Sequence, residues 1–303
     1  MDFQPIARPL CLLVVYKKSM LELYLEHETE AMHEMRDREP ALYDRFQSVH
    51  EDNEKAINSV REQIVSRGHK ATFIHRAEAL PDQDSDLILS VGGDGTLLDV
   101  SHYIQNQLVL GVNSAPGTSV GHYCATNCHG VGTLLDRFQA GEIQPAPLNR
   151  LQITINGKIV EPPVLNDVLL AHVVPGAVSR YIISCHGHTE EHKSSGVWIS
   201  TATGSTAAIQ SAGGVRMNSM DKRVQYLVRE LYAGPGKSYA IQKGFVEDGI
   251  EFLCKMRTGA LFLDGHRERI ALSLGDRIQI RPHPNPLNLL GFRHHTETDS
   301  SSD

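Results

Sequence analysis

Residues 86–98 read Asp-Leu-Ile-Leu-Ser-Val-Gly-Gly-Asp-Gly-Thr-Leu-Leu, an apolar run that enters a glycine turn carrying one carboxylate, Asp94. Gly92, Gly93 and Gly95 have no Cβ, so a polyphosphate can approach their backbone N–H groups. A helix expected over Thr96–Gln105 adds the positive end of its dipole. Asp94 is then a candidate base or metal contact. The loop lacks the Gly-Lys-Ser/Thr of a Walker A loop and the spacing of a dinucleotide GxGxxG motif. Taken alone, the segment is also compatible with ordinary Asp-Gly turn chemistry.

Three further segments carry polar groups where apolar ones would be expected. Thr201-Ala202-Thr203-Gly204-Ser205-Thr206-Ala207-Ala208 crowds hydroxyls at a strand-to-helix transition, which suits either a nucleotide held by short donors or a helix N-cap cluster. Asn166-Asp167 interrupts an apolar run, as a recognition pair for ribose hydroxyls or a base edge, or as a bulge. Asp264-Gly265-His266 reads as a hairpin turn with a carboxylate in reserve. Cys124, Cys128 and His129 match no common zinc spacing, and no second ligand pair follows, so no metal site is expected from side chains alone.

These groups need a scaffold. The 303 residues, 41% hydrophobic and 21% charged, can bury a sizeable core, and the net charge of −7 offers no basic footprint for nucleic acid. The first apolar run, Leu10–Tyr16, is too short to span a membrane and reads as a strand, so no membrane partner is expected. Five cysteines without framework spacing point to a reducing compartment and a cytoplasmic location.

Leu10–Tyr16, Lys70–Ile74, Asp86–Val91 and Leu108–Val112 are short apolar runs separated by helical periodicity, the pattern of a Rossmann-like parallel sheet. Leu21–Arg67 is expected as two helices broken at Pro40, and Val131–Ala140 as another helix ended by Gly141. After Pro145 the pattern turns to strands: Leu151–Ile155, Val164–Ala171, Ser179–Cys185, Gly196–Ser200, Gly249–Met256, Gly259–Leu263 and Arg277–Arg281. Asn156-Gly157 and Asp264-Gly265 are the hairpin signals. Helices are expected only at Thr206–Ala212 and Arg223–Glu230. The reading is therefore an α/β domain over 1–145, a β-rich domain over 146–281, and over 282–303 a return segment and a polar tail expected to be disordered.

In this order and at these intervals, Gly92-Gly93-Asp94-Gly95-Thr96, Gly111-Val112-Asn113, Leu165-Asn166-Asp167, Gly204-Ser205-Thr206-Ala207 with Ser211-Ala212-Gly213-Gly214, and Asp264-Gly265 resemble the NAD kinase family over nearly the whole chain. Val178-Ser179-Arg180, Ser194-Ser195-Gly196 and Thr206-Ala207-Ala208 are most similar to the branch of plant NADH kinases and mitochondrial relatives. The resemblance implies an NAD kinase-like fold and ATP-dependent phosphorylation of the 2′-hydroxyl on the adenosine ribose of NAD or NADH. It implies magnesium carried by ATP, and a homodimer or homotetramer. By position, Asp94 becomes the base, with Gly92, Gly93, Gly95 and Thr96 around the phosphates. Asn166 and Asp167 hold the acceptor nucleoside, and Thr203, Ser205, Ala207 and Ser211 line the dinucleotide site, with Asn113 and Asp264 as further candidates. Three residues depart from the family pattern: Asp167 for glutamate, Ala208 for tyrosine and Ser195 for aspartate, which bears on the choice between NAD and NADH. A lipid or sphingoid kinase shares the glycine loop but needs an apolar acceptor pocket; a dinucleotide sensor without turnover has little need of Asp94.

Overall fold

The computed structural model describes residues 4–78, 84–265 and 268–294. Among these, the chain forms two compact units, one running up to Ala146 and including Asn288–Arg293, the other Pro147–Leu287 with His294.

The first unit contains strand β1 (Cys11–Tyr16), helices α1 (Met20–His27), α2 (Thr29–Arg38) and α3 (Pro40–Ser66), strands β2 (Lys70–His75) and β3 (Leu87–Gly92), helix α4 (Asp94–Ser101), strands β4 (Leu108–Asn113) and β5 (Cys124–Asn127), and helix α5 (Val131–Gln139). β6 (Pro145–Leu148) follows. The strands are parallel and nearly all apolar because helices cover them: β1 lies between β2 and β3, and β3 pairs with β4. A late strand at Leu287–Leu290 returns parallel to β4, giving the order β2-β1-β3-β4-return strand-β6, with β5 also against β4. Ala56, Val60 and Ile64 of α3 recur every fourth residue and meet Leu12, Val14, Leu87, Leu89 and Val91 with Val131, Leu135 and Phe138 of α5.

Three helices, not two, fill the segment expected over Leu21–Arg67. Pro40 starts the third at its first turn, where a missing N–H costs nothing. The unforeseen break falls at Glu28, which leaves helical geometry (φ −141°, ψ 47°) while its N–H closes the preceding turn on Tyr24 O; no glycine or proline advertises it. The helix after the glycine turn begins at Asp94 and ends at Ser101, shorter than expected and two residues earlier.

The second unit is two six-stranded antiparallel sheets. In chain order its strands are β7 (Leu151–Ile155), β8 (Lys158–Val164), β9 (Asp167–His172), β10 (Ser179–Cys185), β11 (His188–Ser194), β12 (Gly196–Ser200), β13 (Val224–Arg229), β14 (Lys243–Val246), β15 (Ile250–Cys254), β16 (Gly259–Leu263), β17 (Glu268–Leu272) and β18 (Arg277–Pro282); the return strand is β19. The orders β11-β10-β15-β18-β7-β8 and β14-β13-β12-β9-β16-β17 enclose one core, in which Ile153, Tyr181 and Ile280 of the first sheet meet Val168, Ile199 and Leu261 of the second. Asn156-Gly157 and Asp264-Gly265 make the β7–β8 and β16–β17 turns with positive φ at both residues. His266 lies outside the described residues, as does the tail beyond His294.

Arg223–Glu230, expected as a helix, is strand β13. It is paired on both edges, to β12 and β14, and its β-branched and aromatic side chains fill the core. Over eight residues, an apolar run does not separate the two periods. Val164–Ala171 is not one strand: the chain bends at Leu165 and Asn166, and β9 starts at Asp167. Thr206–Ala212 resolves into a 3₁₀ turn at Thr203–Thr206 and one helical turn, α6 (Ala208–Ser211).

Candidate active site

Within the first unit, the carboxyl ends of β1, β3 and β4 lie side by side, Tyr16 opposite Val91 and Gly92 opposite Asn113. The glycine turn leaves β3 there. Gly92 is required by what lies beneath it, since a Cβ would sit 2.1 Å from Thr96 Oγ1; at Gly93 it would sit 2.7 Å from Ser119 Oγ. At Gly95 a Cβ would meet nothing within 4 Å. Gly95 therefore keeps space open, whereas its two neighbours permit close packing. Thr96, only 1% exposed, turns inward, with Arg76 Nη1 3.5 Å from its hydroxyl. Its side chain packs under Gly92 and supports the turn from below.

Asp94 opens helix α4, and its carboxylate accepts two backbone hydrogen bonds, from Tyr123 N to Oδ1 at 2.9 Å and from His122 N to Oδ2 at 3.0 Å. Each oxygen keeps a lone pair beyond the amide it accepts. Among the described residues no cationic side chain forms an ion pair with this carboxylate, which borders a cavity of about 790 Å³. Gly93, Gly95, Thr96 and the loop from Asn113 to Ser119 form one wall, while Lys17, Lys18, Arg76 and the α1 and α3 residues Met20, Leu23, Val49 and Asp52 form the others. Asn113 braces that loop, donating from Nδ2 to Ser119 O and accepting from Ala115 N. Cys128 and His129 also line the cavity. Among the described residues no group of three metal-ligating side chains exists, and burial pushes the Cys124 and Cys128 thiols up to about 12 and about 11.

The second unit gathers three distant segments into one cluster. Asp264 accepts from Leu165 N (2.9 Å), Asn166 N (2.6 Å) and Asp167 N (3.2 Å), which holds the bend before β9. Thr201 N donates to Asn166 O, and Thr201 Oγ1 donates to Leu165 O at 2.6 Å. Gly204 is obligatory because a Cβ would fall 2.1 Å from Asn166 O. The hydroxyls of Thr203 and Ser205, expected to face a dinucleotide, are buried instead. Thr203 Oγ1 lies against Thr201 Oγ1, and Ser205 Oγ donates to Ala202 O while accepting from Met217 N. Their role is to build the turn, which leaves half-buried Ala207 and exposed Ser211 on its accessible side. Asp167 is 4% exposed, and burial first, then the nearby Asp264 carboxylate, push its carboxyl up to about 7.

Sequence reasoning missed Lys17, Arg76 and the amides of His122 and Tyr123. A backbone donor has no side-chain signature, and the cations are brought in by strand ends remote from the glycine turn.

Parallel strands covered by helices, with a glycine turn at their carboxyl ends presenting a carboxylate to a cavity, define a nucleotide-binding α/β phosphotransferase unit. Residues 12–143 match the family model for the ATP-NAD kinase N-terminal domain. The chain is 34% identical over 224 residues to a probable NADH kinase of Oryza sativa, covering 66% of this chain and 69% of that one. It is 33% identical to the NADH kinase of Arabidopsis thaliana, covering 69% and 74% of the two. This chain belongs to the NAD kinase family. Its fold matches the yeast NADH kinase crystallised with NADH (TM-score 0.65, 17% identity, 97% of this chain and 86% of that one) and an Archaeoglobus fulgidus NAD kinase in complex with ATP (TM-score 0.63, 16% identity, 95% of each).

Two predictions follow from these contacts. Gly92→Ala should lose about 1–3 kcal/mol or more of stability through the clash with Thr96. Gly95→Ala, in the first turn of α4, should change stability by less than about 1 kcal/mol, yet weaken ATP binding. Thermal unfolding and ATP calorimetry on both variants check the contrast, and equal behaviour of the two would refute it.

The second concerns pH. The folded chain keeps a proton on Asp167 that the unfolded chain has released between about pH 4 and 7, so stability falls as pH rises through that window, at about 1.4 kcal/mol per unit. Asp167→Asn removes the penalty. Its melting temperature relative to the parent chain should be higher at pH 8 than at pH 5, and a pH-independent difference would contradict the assignment.

Proposed function

We propose that this chain transfers the γ-phosphoryl group of ATP to the 2′-hydroxyl on the adenosine ribose of NAD or NADH, giving NADP or NADPH. The observation that carries this reading is the Asp94 carboxylate, oriented by two amides at the edge of a cavity floored by the glycine turn, in a chain of this family. Phosphoryl transfer demands positioning and charge neutralisation more than covalent chemistry by the protein. Asp94 takes the acceptor hydroxyl's proton, and the turn's N–H groups and the first turn of α4 meet the phosphates. Magnesium enters with ATP as part of the donor substrate. Among the described residues no group of three ligating side chains is present, which fits a metal that would arrive with the phosphates as its ligands.

In the second unit, the bend at Asn166 and Asp167 receives the acceptor nucleoside, with Ala207 and Ser211 on the accessible side of the neighbouring turn. The names of the rice and Arabidopsis relatives support NADH as an acceptor beside NAD. Free thiols at all five cysteines support a reducing compartment, which we take to be the cytoplasm. A homodimer or homotetramer rests on the family resemblance.

The test is product identification after incubation with ATP and magnesium and each of NAD, NADH, sphingosine and diacylglycerol. NADP and NADPH are expected. A phosphorylated lipid, or nucleotide binding without turnover, would overturn the reading. Asp94→Asn should keep the fold and nucleotide affinity while lowering kcat about 10²–10⁴-fold with little change in KM; wild-type turnover in that variant would remove Asp94 from the mechanism.

A further inference from the structure

Four cations line the cavity beside the glycine turn, and three are committed within the protein. Lys18 pairs with Glu26, Lys55 with Asp52 at 3.5 Å, and Arg76 with Asp99 at 3.2 Å. Lys17 has no carboxylate partner among the described residues. Its position is nonetheless fixed from two sides. Its N–H donates to Val91 O, immediately before the glycine turn, and its carbonyl accepts from Asn53 Nδ2 of α3 at 3.1 Å. Burial, and secondarily the nearby Arg76 charge, lower its affinity for a proton. A half-buried ammonium with a cation for a neighbour and no carboxylate partner among the described residues is electrostatically unfavourable, and an anion beside it relieves both costs.

Resting on the kinase reading above, we infer that Lys17 contacts the terminal phosphates of the donor nucleotide and neutralises the charge that moves during transfer. The acceptor hydroxyl oxygen forms its bond to the γ-phosphorus as the bond to the β,γ-bridging oxygen breaks. The electron pair leaves with ADP, the hydroxyl proton passes to Asp94, and Lys17 keeps its proton throughout. A lysine is suited to this because its ammonium is a compact point charge on a flexible stem that can follow the shifting charge.

The test uses the full chain with Lys17→Met, which keeps the length and apolar stem, and Lys17→Arg, which keeps the charge. Lys17→Met should lower kcat/KM for ATP about 10²–10³-fold while the KM for NAD or NADH changes less than about threefold, and Lys17→Arg should recover most of the loss. Parent-like kcat/KM for ATP in Lys17→Met, or no recovery with arginine, would overturn the assignment. A parent chain that makes neither NADP nor NADPH would defeat the kinase reading instead. Lys17 is then judged by ATP calorimetry alone: at least about tenfold weaker binding by Lys17→Met supports the contact, and equal affinity, or no binding by the parent chain, overturns it.

Discussion

The two backbone hydrogen bonds accepted by Asp94 tie together everything that matters around the cavity. They join the first residue of α4 to the segment entering β5, so the glycine turn, the helix dipole and the loop after β4 share one fixed point. Because the partners are amides, the carboxylate is oriented without a salt bridge that would tie up its charge. Gly111 protects the same join from below, since a Cβ there would lie 2.3 Å from Tyr123 O. A close-packed turn with one open position, Gly95, follows from these contacts.

The second unit repeats the device with different parts. Asp264, directly after β16, gathers the amides of Leu165, Asn166 and Asp167, and the chain crossing at Gly204 locks the hydroxyl-rich turn against the same bend. Here the consequence is electrostatic. Asp167 starts β9 buried beside another carboxylate, so it holds its proton well above the ordinary range for aspartate. In both units an aspartate next to glycine anchors backbone.

Much of this was legible in the sequence because the signals were local. The central strands β1, β3 and β4 are largely buried and read as continuous apolar runs, and Asn156-Gly157 and Asp264-Gly265 adopt the positive φ values that such pairs favour. The glycine turn likewise declares itself within five residues. What failed was non-local. The Thr203 and Ser205 hydroxyls suit a ligand or a turn equally well until Met217 and Ala202 are seen to claim the second. β13 needed its partners β12 and β14 to be told from a helix. β11, His-Thr-Glu-Glu-His-Lys-Ser, is too polar to announce itself, although His192 and Ser194 are buried in it. Lys17 carries no motif, and its lack of a carboxylate partner among the described residues is visible only in three dimensions.

In the proposed reaction Asp94 is a proton acceptor in a single direct transfer, and not a nucleophile that first takes the phosphoryl group itself. The most direct measurement is the stereochemical course at phosphorus, using ATP with an isotopically chiral γ-phosphate and NAD or NADH as acceptor. One in-line displacement inverts the configuration, and that is the outcome predicted. Net retention would mean two displacements through a phosphorylated enzyme, and it would contradict the role assigned here to Asp94.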